Sequence, residues 1–254
     1  MSALHERRKL TPQEMRSRMR IMMAIGDDTS RELWNSGDFS NLDLEKGQLS
    51  GAGMRGAILD NANLRQAKLN SSDLFEASLV KSDLWGASLI STILKNANLE
   101  FANLEGINAA ECNFSGANLN GCCLTDAILF KAILLEADVS NSNLSRAQIA
   151  DANLEGIVFN NVLVKDTNMV NTNLRYTDFS GVVDKTLENV NLKDADMTGA
   201  NLKGLRLIKV NLSNTNLTDV DLSETYLCEE TLESQVKKKK RNALGNPKLA
   251  VPLT

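Results

Sequence analysis

The chain has 254 residues, of which 43% are hydrophobic, 4% aromatic and 24% charged, with a formal net charge of −4. That is enough chain for one large domain or two small ones, and it excludes a disordered polymer, a miniprotein and a collagen-like fibre. No run approaches the roughly 18 apolar residues of a membrane span, so no span is expected.

The opening MSALHERRKL has no apolar signal core, and the four cysteines, two of them adjacent at Cys122 and Cys123, lack the spacing of a secreted disulfide framework. A cytoplasmic protein with reduced thiols is the expectation. Charge divides the chain into residues 1–36 (seven basic, five acidic), a body with 15 basic and 26 acidic residues, and residues 233–254 (six basic, one acidic). An acidic body repels phosphate backbones, so direct nucleic-acid binding by its surface is not expected.

Within residues 1–36, Thr11-Pro12-Gln13-Glu14 reads as a capping box with proline at the first helical position. Met15, Met19, Met22 and Met23 follow on one helical face, and Gly26 is a stop signal. The pattern predicts a methionine-faced helix that covers the start of the body with help from Leu33 and Trp34. The alternative is a membrane-surface or partner helix carrying Arg16, Arg18 and Arg20.

From Phe39 a period of five begins. Every fifth residue from Phe39 through Leu64, Leu84, Leu104, Phe114, Leu124, Leu144 and Leu154 to Phe179 is apolar, 29 in succession, where 43% composition would give about 12. The register resumes at Leu192 and runs to Leu227, making 37 pentads. Two residues before each centre the side chain is small or Val in 33 of the 37, the exceptions being Leu42, Ile107, Ile157 and Leu205. The residue just before the centre is often Asn or Asp, as in Ala62-Asn63-Leu64.

Five residues advance a helix by about 500°, so successive centres would form no stripe. On a straight strand an odd period would send alternate leucines into water. The chain must therefore bend once per pentad, with centre and small residue pointing to a common axis. Ten of the 13 glycines between residues 37 and 232 stand two after a centre, Gly106 and Gly181 among them, and Asn or Asp stands there in 12 further pentads. These residues tolerate the positive φ of a type II turn. Pro12, Pro247 and Pro252 all lie outside the body, as a ladder that uses nearly every backbone N–H requires.

Residues 180–191 interrupt the count by three residues beyond two pentads, so a small loop is expected there. The basic run Lys237–Arg241 and the residues after it read as a flexible tail, solvated or bound to anions or an acidic partner, with a nuclear signal a further reading.

The tandem A-[D/N]-L-x-x consensus over residues 37–227 resembles the pentapeptide-repeat family. The resemblance implies an all-β solenoid, a right-handed quadrilateral β-helix with four pentads per coil, hence about nine coils and a rod about 44 Å long. The expected organisation is a segment with a capping helix (1–36), the β-helix (37–232, broken at 180–191) and the basic tail (233–254). Stacking by 20 sets Ala109 between Leu89 and Leu129, with Ile107 and Phe114 placed to refill the volume.

Catalysis is not expected. The single histidine, His5, precedes the body, so no Ser-His-Asp or Cys-His constellation can form there. Cys112 and Cys122 occupy inward sites, Cys122-Cys123 lacks zinc-ligand spacing, and acids such as Asp73, Asp83, Glu100, Glu105 and Glu155 fall on outward positions. Neither metal nor cofactor is expected.

Function then lies in surface recognition. Just after four successive centres stand Phe75, Val80, Trp85 and Ile90, a partial apolar belt, with Phe130 two coils above Ile90 and Leu135 on the next face. The leading expectation is a non-catalytic scaffold that binds a protein. The alternative, drawn from the resemblance, is a DNA mimic that modulates or protects a type II topoisomerase such as gyrase, and a secreted bacterial effector is a further one. A 44 Å duplex carries about 26 phosphate charges, far above the body's excess of acids. The inward–outward assignment itself is testable: Leu104→Lys should unfold or aggregate the protein, and Glu105→Lys should leave its thermal midpoint nearly unchanged.

Overall fold

Each pentad must find partners for five backbone N–H groups, and the pentad centred on Leu64 shows how. The Leu64 N–H donates to the carbonyl of Asp83 at 2.7 Å and that of Gln66 to Trp85 at 2.9 Å, both in the next coil. Ala67 closes the turn onto the Leu64 carbonyl at 3.0 Å, and Asn63 reaches back to Leu42 in the coil below at 2.9 Å. The fifth N–H, on Arg65, is accepted by the side chain of Asn63 at 3.2 Å. Asn or Asp before the centre is thus an Asx turn, repeated at Asp73–Phe75, Asp83–Trp85 and Asn103–Glu105. Where serine precedes the centre, at Ser78 and Ser88, the coil below supplies the acceptor: Asp60 for Val80 and Asn70 for Ile90, each at 3.0 Å. The ladder between coils therefore takes three donors of five, not nearly all. The turn and the Asx side chain take the other two.

The computed structural model describes residues 11–25, 34–228 and 248–249. Over the body, parallel bridges join residues 20 apart, from Asp38–Ile58 up to Val158–Asp178. Four turns in each 20-residue step make a four-walled coil, so the body is a parallel β-solenoid. The ladder starts earlier than the count from Phe39: the N–H groups of Trp34 and Ser36 donate to Gly53 and Arg55, making Trp34 a centre too.

The residue two after each centre has positive φ from Ser36 to Tyr176 and again from Asn189 to Glu224, between 53° and 74°. Lys, Glu, Arg, Phe and Tyr adopt it as well as Gly and Asn, but no β-branched residue stands there. Gly181 departs from its expected role. It is absent from the left-handed set, and a Cβ on it would lie 2.8 Å from the carbonyl oxygen of Phe159. Close approach of two backbones, not turn conformation, requires glycine there.

The positive φ has moved to Asp184 (53°) and Lys185 (51°), in a 3-10 turn over Val183–Lys185. Across this point the bridges step by 23, as in Lys165–Glu188 and Asp178–Asn201, and then by 20 again. Three extra residues are held at one corner, and the pattern resumes at Leu187, fully buried, one pentad before Leu192. From here one wall forms a parallel sheet of β1 (Thr186–Glu188), β2 (Arg206–Ile208), β3 (Tyr226–Leu227) and β4 (Lys248–Leu249), in that order. Strand β4 falls within the segment read as a flexible tail, and its Leu249 pairs with Leu227. The run 237–241 lies outside the described residues.

The axis is lined by apolar side chains. Leu64, Leu84, Leu104, Phe114, Leu124, Leu144 and Leu154 are at most 1% exposed, each contributing about 2 kcal/mol by burial. Ala109, Ile107 and Phe114 are likewise buried. Phe159 and Phe179 stack one coil apart, ring centroids 4.3 Å and planes 9° apart. Most inward hydroxyls bond to backbone carbonyls, as Ser72 does to Leu69 (2.6 Å) and Thr215 to Leu192 (2.8 Å), whereas the buried Ser142 Oγ has no partner.

Helix α1 (Pro12–Ile25) lies against the first coil. Its capping box is formed: the Thr11 N–H donates to Glu14 Oε2 at 2.8 Å and the Glu14 N–H to Thr11 Oγ1 at 3.3 Å. Met19 is fully buried, Met15 packs on the same core, and Trp34 meets Phe39 edge to face at 5.8 Å. Arg16 donates to the carbonyl of Asp38 and Arg18 lies over the Trp34 ring at 5.6 Å, so these two arginines face the rod. Gly26 and Leu33, and the side chains of Met22 and Met23, lie outside the described residues.

The two glycine classes should separate in urea unfolding. Gly106→Ala, at φ 65° with no atom within 4 Å of the new Cβ, should cost about 1 kcal/mol. Gly181→Ala must displace backbone and should cost more than about 2 kcal/mol.

Candidate interaction walls

Outward side chains come from three columns per wall: the residue before each centre and the two after it. Wall 1 follows the centres Phe39, Leu59 and Leu79, wall 2 Leu44 and Leu64, wall 3 Leu49 and Leu69, and wall 4 Met54 and Leu74, each continuing by the bridge register. Among the described residues wall 1 gathers Asp38, Asp60, Glu100, Asp138, Asp178, Asp221 and Glu224 against Lys81 and Lys203 of its own columns, with Arg16 of the N-terminal helix 3.7 Å from Asp38. Wall 3, opposite, balances Glu111, Asp151 and Asp194 with Lys68, Lys131 and Lys193. Wall 2 carries as many acids, but six bases accompany them, so it is the uncompensated negative charge that is largest on wall 1.

Three carboxylates of wall 1 are held ionised by local hydrogen bonds. The Ser40 hydroxyl and N–H keep Asp38 below the usual carboxylate range, and the Ser223 N–H and hydroxyl do the same for Asp221. At Asp138 burial pushes upward, but donation from Ser140 prevails and the group is lowered. On wall 2, Arg146 instead grips Asp126 with two bonds of 2.7 Å, neutralising both.

The expected apolar belt is spread around the rod. Phe75, Val80, Trp85 and Ile90 stand at four successive corners, one per wall, so no flat partner touches all four. Two of them are already covered. The Arg55 guanidinium lies 4.2 Å from the Phe75 ring and pairs with Asp73 at 2.9 Å, while Arg65 lies 4.6 Å from Trp85 and pairs with Asp83 at 2.9 Å. In each case the arginine of one coil is latched to the aromatic and the aspartate of the next. Phe130 does lie above Ile90 in one column, both exposed, and Leu135 on the following wall is half-buried.

Three further residues complete a patch around that corner between walls 3 and 4. Ile93, Ile128 and Ile133 are 42%, 39% and 37% exposed, so half of the exposed large hydrophobics among the described residues flank one edge of the rod. They stand before their centres, in the Asn/Asp column, whereas the belt came from the column after the centre. An isoleucine in an Asx position was the signal available. Phe101 and Tyr176, 53% and 56% exposed in left-handed conformation, lie against Gly121 and Gly199 of the next coil, where a Cβ would meet their rings at 2.4 and 2.6 Å.

The interior chemistry is inert. Cys112 donates to the Thr92 carbonyl and Cys122 to that of Leu99, and burial pushes both thiols up, Cys122 to about 12. Among the described residues no group of His, Cys, Asp and Glu could hold a metal ion, and no helix is long and apolar enough to cross a membrane. His5 lies outside the described residues.

A family model for pentapeptide repeats (8 copies) matches residues 38–74, 67–100, 92–129, 129–161, 152–183 and 186–229, leaving out Asp184 and Lys185 in the inserted turn. No curated protein matches the chain significantly. Among solved structures it is similar to HetL, a pentapeptide repeat protein involved in heterocyst differentiation regulation from the cyanobacterium Nostoc sp. strain PCC 7120, at 24% identity and TM-score 0.42 over 80% of this chain and 95% of that one. Rfr23 from the cyanobacterium Cyanothece 51142 is 24% identical with TM-score 0.44, covering 50% of this chain and 97% of its own. QnrB1, a plasmid-mediated fluoroquinolone resistance protein, in a trypsin-treated variant, is 15% identical with TM-score 0.49 over 87% and 92%.

Thiol accessibility tests the inward assignment. In native protein at mildly alkaline pH a thiol reagent should label Cys123 and Cys228, both partly exposed, and reach Cys112 and Cys122 only in denaturant.

Proposed function

Because the chain belongs to the pentapeptide-repeat family, whose members fold as right-handed quadrilateral β-helices, we propose that it is a non-catalytic interaction protein whose acidic wall 1 engages a basic surface of another protein. The interior is filled by apolar side chains, so recognition falls to the walls, and the excess of acids over bases on wall 1, larger than on any other wall, is the observation that carries this reading. Helix α1 acts as the cap of the first coil in this reading, covering strand edges that would otherwise invite aggregation. The cytoplasm is its proposed location.

Topoisomerase modulation by DNA mimicry is the second reading, and charge density weighs against it. Seven carboxylates spread along a rod of about nine coils give roughly one per 6 Å, against one phosphate charge per 1.7 Å in a duplex. A protein partner needs only patches of complementary charge. A supercoiling assay with purified gyrase discriminates: unchanged supercoiling and unchanged quinolone sensitivity at micromolar protein remove the mimic.

For wall 1, replacing Asp60, Asp138, Asp178 and Asp221 by Asn removes four charges and keeps an acceptor oxygen at each site. The thermal midpoint should move by only a few degrees. Partners retained by the wild-type protein at physiological salt should be lost by this variant, and their undiminished retention would refute wall 1 as the contact.

A further inference from the structure

We propose that wall 3 is a self-association surface, joining two copies of this chain side by side and antiparallel about a two-fold axis that crosses the wall midway between the Ala110 and Phe130 rows. The argument is independent of the wall 1 reading. A two-fold axis lying in the interface reverses each column onto itself, so the residues that meet can be read from one chain. With the axis at that height, Phe130 of one copy meets Ala110 of the other, and Ile90 meets Ala150. Both are large-to-small contacts, repeated by symmetry. In the corner column, Glu111 meets Lys131.

Other registers lose this match. An axis through the Phe130 row sets Lys131 against Lys131 and Glu111 against Asp151. An axis one half-row above that keeps Phe130 against Ala150 and sets Lys131 against Asp151, but it drives Ile90 onto Lys193 and leaves Glu111 facing Asn171. The choice of a second copy over another protein rests on three further features. Wall 3 is charge-balanced, whereas the wall opposite would repel its own copy. Side-chain rows along it recur at the strand spacing of about 4.8 Å, and a second copy has the same spacing over the whole length. Exposed Ile90 and Phe130 sit within the matched rows, and the Lys131 ammonium lies 5.0 Å from the Phe130 ring, beside the position of the incoming Glu111. Paired in this way, both acidic walls remain on the outside.

The test is sedimentation velocity of the full chain from about 1 to about 200 µM, with a thermal midpoint measured for each variant. Wild-type protein should show a concentration-dependent dimer. Lys131→Glu should raise the dissociation constant by about tenfold or more with the midpoint unchanged, and Glu111→Lys combined with Lys131→Glu should bring it back towards the wild-type value. Monomer throughout the range overturns the proposal. So does a dimer that Lys131→Glu leaves intact, or one that the exchanged pair fails to restore.

Discussion

A backbone N–H shut away from water without an acceptor costs more than a buried leucine contributes, and a chain that bends every five residues risks several of them in each turn. This fold removes the risk by giving the donors of an Asx-bearing pentad such as that of Leu64 fixed destinations. Two go up a coil, one goes down, one closes the turn and one is taken by a side chain. The bonds between coils hold the leucine axis together, and the axis in turn holds the walls at strand spacing. The side-chain acceptor is the most local of the five. It explains a residue preference that hydrophobic packing alone leaves without a cause, since Asn and Asp before the centre point outward and bury nothing.

The same allocation explains what could be read from the sequence. Centres and small sites were legible because they share one environment, repeated without variation, so a period of five stood out. The turn position was legible through Gly and Asn, yet its real tolerance is wider: Lys46, Glu76 and Arg146 also adopt positive φ, and what the position refuses is branching at Cβ. Counting by five missed Trp34 and Leu187 because each opens its own run of centres, Leu187 just after the three-residue insertion. Gly181 fitted the pattern by number and not by conformation. Inserting residues after Phe179 shifted the left-handed turn to Asp184 and Lys185 and left Gly181 packed against backbone.

The walls were less legible because periodicity does not constrain them. An outward side chain is judged by its neighbours 18 and 20 residues away, not by those beside it in sequence. Phe75 and Trp85 looked like free anchors when read along the chain, but Arg55 and Arg65, one coil below, occupy their faces. Sorting the columns by 20 rather than by five also reveals the separation of charge, wall 1 acidic and wall 3 balanced, which the overall net charge conceals.

Such a rod can adapt little on binding. Its backbone donors are committed to neighbouring coils, so moving one wall relative to another would break bonds on both, and closure around a ligand is not available as a route to specificity. Recognition must therefore rest on features built in advance: the spacing of rows, the sign of charge on each wall and the few apolar side chains set among them. The insertion obeys the same rule. Because its three extra residues are confined to one corner, the bridges above and below it stay in line, and each wall runs past Val183–Lys185 without a change of face. A partner laid along a wall thus meets one continuous pattern, and altering that pattern requires only outward substitutions, which leave the axis and its hydrogen bonds as they are.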